Sequence, residues 1–138
     1  MNPKKPRTMC LNCGKEPSRA GMKYCSLVCQ AEYQFKMRVK NVVKTGNVSD
    51  GFGGPRSAKR YILWRDGSIC SICGCSEWRS ESIPLVLDHI DGNSDNWSET
   101  NLRLVCGNCD MQLPTYKSRN KGNGRFRRRV RYANGGSY

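Results

Sequence analysis

Four pairs of closely spaced cysteines dominate this 138-residue chain: Cys10/Cys13, Cys25/Cys29, Cys70/Cys73 and Cys106/Cys109, with Cys75 left over from a total of nine. Two or three residues between partners lets two thiolates reach one tetrahedral metal ion, and a soft sulfur set suits Zn²⁺. Cys10-Leu-Asn-Cys13-Gly14, followed after eleven residues by Cys25-Ser-Leu-Val-Cys29, makes one quartet, with Gly14 relieving the turn after the second sulfur. Cys70-Ser-Ile-Cys73-Gly74 and Cys106-Gly-Asn-Cys109 make the second, in which Cys75 is an alternative to Cys73. Such staples answer a need. Hydrophobic residues are 37% of the chain and mean hydropathy is −0.71, too little apolar surface for a small domain to offset its own chain entropy. The chain opens Met1-Asn-Pro-Lys-Lys-Pro-Arg7 with no apolar signal core, and no window reaches the roughly 20 apolar residues of a membrane span. A cytoplasmic protein without a membrane partner is expected, and thiol buffers there favour metal over disulfides.

The formal net charge of +13 is unevenly spread: +8 over residues 1–45, −3 over 46–112 and +8 over 113–138. Eight thiolates on two Zn²⁺ set eight negative charges against four positive, lowering +13 to +9, still basic. Cationic flanks around an acidic middle fit a polyanion gripped at both ends and a central site that attracts a cation. Charge alone fits RNA and DNA equally well.

The chain between the cysteines divides into recognisable stretches. Ser26 caps a helix from about Leu27, whose Val28, Ala31, Phe35, Val39 and Val42 recur at three- and four-residue steps and which stops before Gly46. Lys36, Lys40 and Lys44 fall on another face, a solvated surface or a phosphate contact. Gly46 to Pro55 reads as a Gly/Pro linker, and Ser57 starts a shorter helix closed by Gly67, with Trp64 expected in the core. The second quartet encloses 32 residues between Cys73 and Cys106, a length that makes sense only if the insert is structured and the metal clamps its ends. Pro84–Asp88 reads as a strand, 89–100 as a polar loop, Asn101–Val105 as a second strand, and a helix follows from about Cys106 to near Pro114. The expected fold is small, zinc-stabilised α+β with a ββα unit. Its divisions are 1–45 (knuckle and basic helix), 46–56 (linker), 57–120 (the ββα domain) and 121–138 (a basic arm).

The chain's single histidine, His89, directly follows Asp88 at the end of the first strand, beside an Asn-rich loop and with Asp110 returning on the helix. A carboxylate, an imidazole and a second carboxylate at one strand end are a candidate centre for acid–base and metal chemistry.

Leu87-Asp-His-Ile-Asp-Gly-Asn93, Asn101-Leu-Arg-Leu-Val-Cys-Gly-Asn-Cys109 and Pro114-Thr-Tyr-Lys117 together resemble the signature segments of the HNH, or ββα-metal, endonucleases, in particular small free-standing phage homing-type members. The likeness covers about residues 57–120, and the N-terminal four-cysteine knuckle resembles a module found ahead of the nuclease in some of them. It implies that His89 is the general base, Asp88 a metal ligand and Asn101 the residue that steadies the loop. The third position falls on Asp110, where the family usually has histidine or asparagine. Asp88 and Asp110 then offer two carboxylates to a catalytic Mg²⁺ or Mn²⁺, a harder site that polarises phosphate less, or else Asp110 marks a decayed centre in a zinc-dependent DNA-binding or regulatory protein. The implied activity is metal-dependent hydrolysis of double-stranded DNA by a monomer or homodimer, in a host cytoplasm if phage-encoded. Arg103 is read as a phosphate contact or a solvated strand-edge residue.

Past Pro114 the chain carries eight basic residues and no acidic one. Arg125, Arg127, Arg128, Arg129 and Arg131, interleaved with Phe126 and Tyr132, suit an arm that orders on DNA or a solubilising tail. Lys59, Arg60, Lys117 and Arg119 complete the expected DNA-contact set with Lys36, Lys40 and Lys44.

Overall fold

The computed structural model describes residue 3, residues 6–120 and residues 126–136. Helix α1 runs Leu27–Thr45 between clear stop signals: the Ser26 hydroxyl accepts from the Cys29 N–H at 3.1 Å, and Gly46, at φ 70°, turns the chain out of the helix. Its apolar stripe is graded. Val42 is buried and Phe35 and Val39 pack against the core, whereas Val28 stays exposed near the N-terminus.

The stretch expected as a linker is instead part of the core. Val48 and Phe52 are both buried, Val48–Asp50 forms a 3-10 turn, and the chain pairs with the 97–99 segment (Val48 N–H to Trp97 O, 2.9 Å; Glu99 N–H to Gly46 O, 2.9 Å). One of its glycines serves close approach. A Cβ on Gly51 would overlap the Arg38 carbonyl oxygen of α1, so the turn packs on that helix only as glycine.

Helix α2, Pro55–Asp66, starts with proline in its first turn, where the missing N–H costs no bond. It delivers Ala58, Tyr61 and Ile62 to the core, Tyr61 stacking on Phe52 at 5.0 Å between ring centroids. Trp64 is not the core residue expected. It is 57% exposed, edge-on to Phe35 at 5.6 Å between ring centroids, and lines a groove of about 990 Å³ together with α1 and the first knuckle.

A two-residue hairpin, β1 (Glu77–Trp78) and β2 (Glu81–Ser82), precedes the central pair β3 (Leu85–His89) and β4 (Leu102–Cys106). The central strands are antiparallel, with Asp88 opposite Arg103 and His89 opposite Leu102. An isolated two-stranded ribbon is marginal in water. Here α2 covers it, and the short helix α3, Gly107–Gln112, packs back on both strands, giving a strand–strand–helix unit. Leu85, Leu102, Leu104 and Val105 are buried in it, each full burial contributing about 1.5–3 kcal/mol. Cys70 and Cys106 belong to the same core, so the second quartet is continuous with it. Helix α4, Phe126–Ala133, is the last element of the described residues. Among the described residues no helix is long and apolar enough to cross a membrane.

Candidate active site and metal centres

The two knuckles share one backbone. In each, the first cysteine's N–H bonds a carbonyl five residues on (Cys10 to Lys15, Cys70 to Cys75, both 2.9 Å), and the glycine after the second cysteine donates back to the first cysteine's carbonyl at 2.9 Å. Gly14 and Gly74 hold φ of 74° and 73°, which L side chains rarely adopt. The partner cysteines come from helix starts: Cys25 and Cys29 flank the cap of α1, while Cys106 ends β4 and Cys109 lies on α3. Cys10, Cys13, Cys25 and Cys29, and likewise Cys70, Cys73, Cys106 and Cys109, bring their sulfurs within 4.8 Å of one another. Sulfurs about 2.3 Å from a tetrahedral Zn²⁺ stand about 3.8 Å apart. The observed Sγ···Sγ separations of 3.5 Å (Cys13–Cys25), 3.4 Å (Cys25–Cys29) and 3.8 Å (Cys73–Cys106) fit that ion. Cys73, not Cys75, is the thiol that groups with Cys70, Cys106 and Cys109, while the Cys75 carbonyl accepts from the Cys70 N–H. Burial pushes the Cys10 and Cys70 thiols up, but backbone N–H groups, from Cys13 and Cys73 first, outweigh it and bring both to about 6. Hydrogen bonds with Cys29 and Cys13 push Cys25 up to about 12, and burial with Cys106 does the same for Cys109. Such crowding of sulfur charge is what a divalent cation relieves.

The second constellation stands where β3 ends. Asp88 accepts from Arg103 Nε at 2.7 Å across the strand pair, an ion pair set by register alone. His89 is half-buried, its ring edge-on to Trp97 at 5.2 Å. Its Nε2 is buried without a hydrogen-bond partner among the described residues. Burial holds its pKa below the usual 6.5, against the opposing charges of Asp91, Asp88 and Asp95, so the ring is neutral near pH 7. Asp110, on α3, has its carboxyl raised by burial first and by the charge of Asp88 second, with Lys117 opposing. Asp88 therefore acts electrostatically on both His89 and Asp110. The three do not form a tight ligand cluster: among the described residues, the cysteine quartets are the groups of three or more candidate ligands that do.

Asn101 orders the loop that leaves His89. Its Nδ2 donates to Asp91 Oδ1 at 2.9 Å and to Asn96 O at 3.0 Å, and its Oδ1 accepts from Asp91 N–H at 3.1 Å. Asp91, to which the sequence reading gave no role, is the loop's hub. Asn96 Nδ2, Asn93 N–H and Asn101 all donate to its carboxyl and lower its pKa, the Asn96 bond at 2.6 Å most. The Asp-Gly-Asn run was a legible sign of such a turn; the Asp88–Arg103 pair needed the register.

The cationic residues divide by what they touch. Lys40 and Lys44 are exposed on α1, and Lys36 donates to Asn12 Oδ1 at 2.9 Å. Lys59 instead bonds the Leu85 carbonyl, and Arg119 Nη1 caps the end of α3 through Met111 O and Leu113 O, both 3.2 Å. Arg60 lies over the Phe35 ring at 5.2 Å and Lys117 over Tyr116 at 5.0 Å. Arg129 pairs with Asp95, and Arg131 is exposed on α4. Arg125 and the side chains of Arg127 and Arg128 lie outside the described residues.

Over 53 residues the chain is 43% identical to the H-N-H endonuclease F-TflIV of Escherichia phage T5. The match covers 38% of this chain, which spans 23% of that relative's length. It supports the resemblance to HNH endonucleases over that region. No family model matches the chain, and no solved structure matches it.

Proposed function

We propose that this protein is a DNA endonuclease of the HNH kind, with its catalytic centre at the end of β3. The observation that carries the reading is that Asp88 and His89 end β3 side by side next to a loop closed by Asn101, with the charge of Asp88 also bearing on Asp110 of α3. Two carboxylates near a neutral imidazole suit a hard divalent cation, and Asp88 and Asp110 are the residues that would hold Mg²⁺ or Mn²⁺. Bound there, such an ion would supply a Lewis acid for the charge developing on the leaving 3′ oxygen. Neutral His89 accepts the proton of an attacking water, its ring fixed by Trp97 and by the strand pairing of its backbone to Leu102. Arg103, opposite Asp88, gives an incoming phosphate a positive group to meet. Hydrolysis of this type leaves 5′-phosphate and 3′-hydroxyl ends. Residues 1–45, with exposed Lys40 and Lys44, and the arm beyond residue 120 act as DNA grips around this centre. Two zinc ions in the cysteine quartets hold the scaffold. One centre per chain nicks as a monomer, and a homodimer would cut both strands.

A second reading, a zinc-dependent DNA-binding protein with a decayed centre, is favoured by one observation: Asp88 is already paired with Arg103. Supercoiled plasmid separates the two. With Mg²⁺ or Mn²⁺, the wild-type protein is expected to nick, and His89→Ala to lose about 10²–10⁴-fold of that rate. Nicking that survives His89→Ala removes the assigned base; duplex binding with no nicking by wild type supports the second reading.

A further inference from the structure

We infer that Asn120, outside the strand–strand–helix unit, is a positioning residue that latches the 90–96 loop onto the candidate centre; the catalytic half of this inference rests on the nuclease reading above. Asn101 holds this loop from within. Asn120 holds it from outside the unit, its Nδ2 donating to the Gly92 carbonyl at 2.6 Å across 28 residues of sequence. The N–H of the same residue, Gly92, donates to the His89 carbonyl at 2.8 Å. One residue thus joins the end of β3, which carries His89, to the segment that follows α3.

The fit around Gly92 is close and specific. Gly92 is buried with φ +72°, and a Cβ there would come within 2.6 Å of Asn120 Oδ1 and 2.7 Å of Thr115 Cγ2. A side chain at position 92 would therefore displace the clasp as well as strain the backbone. Asn120 is itself set by the 3-10 turn Lys117–Arg119, its N–H bonded to Lys117 O at 3.2 Å, and Arg119 anchors that turn to the end of α3. Further along, Arg129 reaches Asp95 on the same loop. The C-terminal segment so closes the loop that leads out of His89, and Asn120 acts on the base through Gly92.

The test uses the full-length, zinc-loaded protein and two readouts. Asn120→Asp keeps the shape but loses the donor, and Asn120→Gln keeps the amide. Hydrogen exchange of residues 90–96 is expected to quicken about tenfold in Asn120→Asp and in Gly92→Ala, with exchange in β3 and β4 unchanged and partial recovery in Asn120→Gln. On saturating plasmid, kcat should fall about tenfold in Asn120→Asp while KM for DNA stays within about twofold. Loop exchange at the wild-type rate in Asn120→Asp, or faster exchange spread equally over the strands, overturns the latch. A wild-type protein that cuts nothing overturns the nuclease reading instead, and the exchange result still decides whether Asn120 is the latch.

Discussion

Among the described residues Asn101 is the buried polar one, and its three side-chain hydrogen bonds all end on the 91–96 loop. Asn101→Ala leaves the Asp91 amide and the Asn96 carbonyl without their partner, at a cost of about 1–3 kcal/mol in thermal or denaturant unfolding. Asn101→Asp is expected to be worse, because it removes both donated bonds and sets a carboxylate against that of Asp91. Tyr61 supports a second residue-scale prediction. Its hydroxyl donates to the Glu99 carboxylate, and burial first, then that bond, raises its pKa from 10.0 to about 12. A raised folded pKa contributes stability that is complete below 10 and is lost as pH climbs toward 12. Wild type should therefore exceed Tyr61→Phe by about 1–2 kcal/mol near neutrality. Unfolding curves taken at rising pH should show that margin shrinking above pH 10.

Elements differ in how openly the sequence announces them. Ser26 and Gly46 bracket α1 because a capping hydroxyl and a left-handed exit are local requirements, legible without knowing what the helix packs on. Gly46–Pro55 has a linker's composition, but its Gly51 is there for close packing on Arg38, and composition does not distinguish freedom from crowding. Trp64 misleads for the reverse reason: exposure depends on how far α1 covers α2, which no local pattern encodes. At the site, the quartets follow from spacing alone, whereas Asp88–Arg103 needed the strand register and Asn120–Gly92 a contact across 28 residues. The knuckles give the element-scale prediction. Cys73→Ser should reduce bound zinc from two ions per chain to one and lower the melting temperature, while Cys75→Ser keeps both, as counted by native mass spectrometry. Loss of zinc on Cys75→Ser would reverse the ligand assignment.

For the whole molecule, the governing quantity is the net charge of +13 and its concentration at the two ends. Duplex binding should weaken steeply with salt, with a slope of log K against log salt near −0.9 for each phosphate neutralised. Truncation after Asn120, which removes six basic residues, is expected to flatten that slope measurably and leave zinc content unchanged. An unchanged slope would make the arm a solubilising tail. The continuity of Cys70 and Cys106 with the buried core has a practical side as well. If zinc occupies the quartets, EDTA, the usual way to stop a magnesium-requiring reaction, would extract the fold's own rivets along with the ion under study. Silence after such a quench would then report a collapsed scaffold, and any hard-ion requirement has to be read by adding magnesium back to protein whose zinc was never disturbed.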